Sequence, residues 1–252
     1  MSEESRLPGT RQVRRQWSLA VAICVSVGGG GVAALQRLSP AVVSVNFLLG
    51  TGAILAAELI VFGWLLERTT AEIGPQRLSL ATGITVGRAG VLAVFAGFLA
   101  GGRPDGALAW LPGVLFATAA ILDGADGAVA RATDGVTELG DRLDREVDAL
   151  IVLVGAVFVV TEGFAPAIYL VAGLGRYGFL LGVRWRQNRG LRVQPLRPSL
   201  FRRATGVAQF VAILLASLPV PGSDLSRALT MVAVIPILVS FARDWLIVTD
   251  RR

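Results

Sequence analysis

Long apolar runs alternate with short polar interruptions along the whole chain. Runs at about 17–35, 42–66, 78–100, 107–131, 141–161, 167–183, 205–219 and 227–247 are long enough, or nearly so, for a helix to cross a hydrocarbon layer of ~30 Å. A backbone in lipid must satisfy its own hydrogen bonds, so the pattern predicts an all-α polytopic membrane protein with eight transmembrane helices. Residues 1–16 are polar, end in the basic cluster Arg11, Arg14 and Arg15, and read as a cytoplasmic tail. The run after them is long for the apolar region of a signal peptide and lacks a clear cleavage site, so it reads as a retained span. Its Gly28 to Gly31 tract has no neighbouring strand or Lys to make a phosphate loop, and close helix packing accounts for it better. Glu58 is the odd residue of the second span; it either faces a cavity or is hydrogen-bonded in the interior. Residues 67–77 read as a polar linker, and Pro195 and Pro198 interrupt any helix between the sixth and seventh spans.

Composition narrows the chemistry. Of 252 residues, 54% are apolar, which excludes a nucleic-acid-binding basic domain as the source of the +6 charge. There is no His, so neither a His base nor a His-ligated metal is available, and the single Cys24 cannot form an internal disulfide. All 24 basic residues are Arg. With eight spans and a cytoplasmic N-terminus, the outside turns contain only Arg37, Arg103 and Arg227. Nearly all other Arg, including the seven in 184–203, then fall on the cytoplasmic side, as does the C-terminal Asp250-Arg251-Arg252.

Against this background the stretch 123–148, DGADGAVARATDGVTELGDRLDREVD, stands out. It holds eight of the protein's 18 acidic residues and lies between WLPGVLFATAAIL and ALIVLVGAVFVV. A carboxylate at the centre of a bilayer costs about 2.5–3.5 kcal/mol on insertion scales, so four Asp at the ends of two spans need water, a cation or a metal. On a helix, Asp123, Asp126, Gly127, Ala130 and Arg131 share one broad face, while Gly140, Asp144 and Asp148 step by four residues along a second stripe. A turn near Gly135 would bring the two carboxylate pairs face to face. Oxygen-only ligation suits Mg²⁺ or Mn²⁺ rather than zinc. Small residues at 127, 130 and 140 let a ligand or a helix approach the backbone, and Arg131 offers a fork suited to phosphate.

These residues reproduce a known signature. The stretch resembles that of the CDP-alcohol phosphotransferase family, D-x-x-D-G-x-x-A-R-x8-G-x-x-x-D-x-x-x-D, at every fixed position: Asp123, Asp126, Gly127, Ala130, Arg131, Gly140, Asp144 and Asp148. An accidental acidic loop would have no reason to place two Gly and an Ala at these offsets. The opening of the third span, SLATGITVGRAG, is loosely similar to the first helix of the family core, with Thr85 and Arg88 as the matching residues. Arg88 would reach a diphosphate or simply snorkel to the interface.

The resemblance implies a six-helix CDP-alcohol phosphotransferase core at 78–252, preceded by two N-terminal transmembrane helices at 17–70 as an extension without a readable motif. The implied reaction transfers a phosphatidyl-type group from a CDP-linked lipid, such as CDP-diacylglycerol, to a small polar alcohol and releases CMP at the cytoplasmic face. Asp123 and Asp144 would bridge two divalent cations, Asp126 would hold one, and Asp148 would hold the other while serving as catalytic base. Gly127, Ala130, Arg131, Thr137 and Arg88 would contact the nucleotide. The acceptor could be phosphorylated, as inositol phosphate or glycerol phosphate are, with Arg176 as an intramembrane contact; the Arg-rich 184–203 segment serves either that acceptor or anionic lipid heads. A homodimer in the cell membrane is the implied assembly. Asp134, Glu138, Asp141 and Glu146 have no place in the signature and read as solvated charges, some paired with Arg142 or Arg145. Two other readings remain: a cation transporter, which leaves the fixed Gly, Ala and Arg unexplained, and a non-catalytic scaffold, which leaves four retained Asp unexplained.

Overall fold

The computed structural model describes residues 7–75, 77–133, 135–220 and 222–249, with side chains from 11 onward. Of the features singled out in the sequence, residues 1–6, Asp134 and the C-terminal Asp250-Arg251-Arg252 lie outside the described residues. Eight α-helices follow one another: α1 Leu7–Leu38, α2 Val45–Ile73, α3 Leu80–Gly101, α4 Leu111–Ala132, α5 Glu138–Thr161, α6 Val171–Asn188, α7 Leu200–Ser217 and α8 Ser223–Val248. Short 3₁₀ turns at Gly106–Trp110 and Ala167–Leu170 lead into α4 and α6. The fold is therefore all-α among the described residues, and each apolar run of the sequence is a helix.

Six of these helices are long and apolar enough to cross a membrane: Arg11–Leu38, Val45–Ile73, Leu80–Gly101, Gly106–Ala132 (counted with its 3₁₀ turn), Leu200–Ser217 and Ser223–Val248. This makes the chain an integral membrane protein. α5 and α6 are not in that set, because Asp141, Arg142, Asp144, Arg145, Glu146 and Asp148 crowd the first half of α5, and Arg176, Arg184 and Arg186 punctuate α6.

Several boundaries differ from the apolar pattern for local reasons. α1 begins at Leu7, inside the stretch read as a polar tail. Arg and Gln are good helix formers, and the apolar run behind them supplies a nucleus they extend. α2 continues to Ile73, through most of the expected linker; Arg68 pairs with Glu72 at 2.8 Å one turn on, and Gly74 at φ 89° closes the helix. Ser44, Ser79 and Ser199 each accept a backbone N–H and so cap α2, α3 and α7.

The chain forms two compact units, residues 1–148 and 149–252. In the first, α3 is the central helix and packs against α1, α2 and α4. Glycines allow the approach: a methyl at Gly90 would come within 2.8 Å of the Cys24 carbonyl oxygen, and one at Gly97 within 2.6 Å of the Phe47 ring. In the Gly28 to Gly31 tract, Gly31 faces Val94 and Gly28 the Gly90 carbonyl, while Gly29 and Gly30 face open space, so helix packing explains two of the four. Aromatic edges complete the contacts, Phe47 against Phe98 at 5.0 Å and Phe95 against Phe116 at 5.7 Å. Glu58 is buried and neither carboxyl oxygen has a hydrogen-bond partner, which corrects the expectation of a hydrogen-bonded interior carboxyl.

In the second unit α8 packs against α7 and α6. Gln209 donates to the Ala233 carbonyl oxygen at 2.8 Å, leaving less unpaired polarity inside the pair. Arg202 grips the buried Asp244 through two nitrogens, at 2.8 and 3.2 Å.

Candidate active site

α3, α4 and the part of α5 up to Asp148, all within the first unit, build the site. α3 contributes Thr82, Thr85 and Arg88, α4 contributes Asp123, Asp126, Gly127, Ala130 and Arg131, and α5 contributes Gly140, Asp144 and Asp148. The chain turns between α4 and α5 at 133–137, where the Gly135 N–H donates to the Ala130 carbonyl oxygen. Thr137 then starts α5: its hydroxyl oxygen accepts from the Gly140 N–H at 3.1 Å. Gly140 itself lies against α3. A methyl there would stand 2.9 Å from Thr82 Oγ1 and 3.0 Å from Thr137 Oγ1, so a larger residue would force one of these hydroxyls to shift.

The carboxylates converge as the spacing predicts. One ligand oxygen each from Asp123, Asp126 and Asp144 lie within 4.8 Å of one another. Asp126 is buried and accepts a hydrogen bond from the Thr85 hydroxyl at 2.9 Å. Asp148 stands outside that trio but beside it, joined through Arg88. The Arg88 guanidinium is fully buried; it donates to Asp123 Oδ1, donates to Asp144 Oδ1 at 2.5 Å, and lies 3.0 Å from Asp148 Oδ1. This corrects the expectation that Arg88 snorkels to the interface. An Arg in the middle of a span needs carboxylates, and α4 and α5 supply three of them.

Beside the trio is a cavity of about 80 Å³ whose wall includes Thr82, Asp126, Gly127, Ala130, Thr137 and Asp144. Five residues assigned from the signature or its surroundings to metal or nucleotide, Asp126, Gly127, Ala130, Thr137 and Asp144, therefore share one wall. Arg131 is exposed and folds back over Gly127, where an added methyl would be 3.3 Å from its Nη1; it does not line the cavity. Arg176 is half-buried in α6, in the second unit. The off-pattern charges are surface pairs in part: Arg142 bonds Glu138 at 2.8 Å and also Glu72 of α2 at 2.7 Å.

Sequence reasoning missed Ser79 and Thr82 as parts of this wall. The signal was present in the first turn of α3, where S-L-A-T places two hydroxyls three residues apart; in the structure Ser79 Oγ and Thr82 Oγ1 are 2.9 Å apart. The convergence of Arg88 on three carboxylates was not legible, because the order of spans does not say which helix faces which.

The donor set fits divalent cations. It is made of oxygen only, and three carboxylates converge within one ion's reach. The sequence profile of the CDP-alcohol phosphatidyltransferase family matches residues 78–242, about two-thirds of the chain, and the protein belongs to that family. No curated protein and no solved structure matches the chain. α1 and α2 precede the matched region.

Proposed function

We propose that the protein transfers the phosphatidyl group of a CDP-linked lipid to a small alcohol and releases CMP, with the chemistry at Asp123, Asp126, Asp144 and Asp148. The observation that carries the reading is the convergence of the signature carboxylates of α4 and α5 in a membrane protein of this family. Asp123, Asp126, Asp144 and Asp148 would hold the divalent cations, two of Mg²⁺ or Mn²⁺. Bound there, such cations neutralise a diphosphate and stabilise charge on attacking and leaving oxygens.

The remaining work falls to the chain. Asp148 takes the proton of the acceptor hydroxyl; the acceptor oxygen bonds to the lipid-side phosphorus, and the bond from that phosphorus to the CMP oxygen breaks. The carboxylate group of Asp148 is 38% exposed, so a substrate can reach it while Arg88 fixes its inner oxygen. Gly127, Ala130 and Thr137 leave room for the nucleotide, and Arg131 supplies positive charge to its phosphates. A positioned base of this kind contributes about 10²–10⁴-fold.

The acceptor in this reading is a small polar alcohol, and a phosphorylated one such as inositol phosphate or glycerol phosphate is the first class to test. The Arg distribution supports a site at the cytoplasmic face, where soluble acceptors and CMP exchange. The test is a competition: purified protein, CDP-diacylglycerol and Mg²⁺ or Mn²⁺ are given inositol phosphate, glycerol phosphate, inositol and serine in turn. CMP release with a phosphorylated acceptor and none with the free alcohols supports the assignment; preference for serine or inositol overturns the acceptor class while leaving the transfer reaction standing.

A further inference from the structure

We propose that Arg88 is a resident countercation of the carboxylate cluster. It offsets the repulsion among Asp123, Asp144 and Asp148 while divalent cations are absent, and it lowers the negative charge that an arriving cation meets. The inference rests on the proposed function only for the identity of the four carboxylates as the cation site.

The geometry supports this role over plain packing. Arg88 is among the largest side chains with no exposed surface, and its planar fork reaches carboxylates on two other helices. One guanidinium thus ties α3 to α4 and α5. Arg88 has no exposed side-chain surface, whereas the three carboxylates it meets keep side-chain exposures of 41% for Asp123, 39% for Asp144 and 38% for Asp148. Each turns its Oδ1 toward Arg88. The buried end of the cluster is therefore closed by a fixed positive charge, and the accessible end remains for a mobile one. A Lys in this position would provide one point charge on a flexible stem and could not bridge as widely.

Charge arithmetic gives the consequence. Fully ionised, the four carboxylates carry −4, and Arg88 reduces this to −3. Without Arg88 the full repulsion between carboxylates remains, so the cation-free protein is destabilised and each bound divalent ion relieves more of that repulsion. By linkage, a ligand that binds the folded state more tightly also stabilises it more. Loss of a merely structural arginine would instead weaken the cation-free and cation-loaded proteins alike and leave the difference between them unchanged.

The experiment uses the full chain with Arg88→Met and Arg88→Lys beside the wild type. Free Mn²⁺ is followed by electron paramagnetic resonance during titration, and melting is recorded with and without Mn²⁺, so neither readout depends on turnover. Arg88→Met is expected to melt lower than wild type without Mn²⁺, to gain more from adding it, and to bind Mn²⁺ more tightly by on the order of tenfold or more. Arg88→Lys is expected to lie between the two, and it carries the comparison if Arg88→Met does not fold. Mn²⁺ affinity and Mn²⁺-induced stabilisation that are unchanged or reduced in these variants would overturn the proposal. A wild type that binds no Mn²⁺ at all would overturn the cation site itself, and the proposal with it.

Discussion

At the scale of single residues, the site is as demanding about what is small as about what is charged. Gly140 lies where α3 and α5 meet, and both hydroxyls that crowd it are engaged, Thr82 with Ser79 and Thr137 with the backbone of Gly140 itself. Gly140→Ala therefore overpacks the contact, at a cost of about 1–3 kcal/mol. We expect it to lower thermal stability and activity together, and we expect Thr82→Ala to recover part of both losses in the double variant. Strictly additive losses in that cycle would show that the two residues do not press on one another. Glu58 presents the opposite case, a buried carboxyl with no hydrogen-bond partner, far in sequence from the signature. Replacing it with Leu of similar size removes the desolvation cost of a lone polar group, roughly 1–3 kcal/mol. Glu58→Leu is expected to melt higher in detergent with unchanged CMP release; a loss of activity would reveal a functional role. Both residues were visible in the sequence, Gly140 as a fixed position and Glu58 as a charge in a span. Their surroundings were not, because contacts between spans depend on how the helices face one another.

At the scale of elements, α2, which precedes the family region, is joined to the helix that carries half of the site. Glu72, in the last turn of α2, bonds both Arg68 of its own helix and Arg142 in the first turns of α5, two residues from Asp144. Arg142 is also held by Glu138. Single exposed ion pairs contribute little, but here one arginine links two helices through two carboxylates. Glu72→Gln is expected to reduce activity modestly and to abolish part of its salt sensitivity. The reciprocal exchange Glu72→Arg with Arg142→Glu is expected to recover most of the loss; a double variant worse than either single one would argue against the link. The sequence showed the apolar runs of these helices but not the caps that start α2, α3 and α7, which are Ser44, Ser79 and Ser199 in the structure. It did not show that α2 runs through the polar stretch to Ile73, because charges at i and i+4 stabilise a helix without leaving an apolar pattern.

At the scale of the whole molecule, the periodic runs gave the helix count and the signature gave the family, while the crossing of α5 and α6 depends on more than composition. α5 has 24 residues, a length of about 36 Å, enough to span a bilayer, yet its first half is acidic and carries the site. We expect α5 and α6 both to cross, placing the Glu162 turn outside and the 189–199 segment in the cytoplasm. In a Cys24→Ser background, Glu162→Cys is then labelled by an impermeant maleimide from the outside, and Asn188→Cys only after the membrane is opened. Labelling of both from the cytoplasmic side would mean that α5 and α6 form a hairpin that does not cross. The central claim, transfer from a CDP-linked lipid at the carboxylate cluster, is tested most directly by CMP release from CDP-diacylglycerol in the presence of Mg²⁺ or Mn²⁺ and the acceptors named above. Wild-type protein is expected to release CMP with one acceptor, and folded Asp148→Ala to fall by about 10²-fold or more. CMP release at the wild-type rate by folded Asp148→Ala, or none from the wild type with any acceptor, would contradict the account.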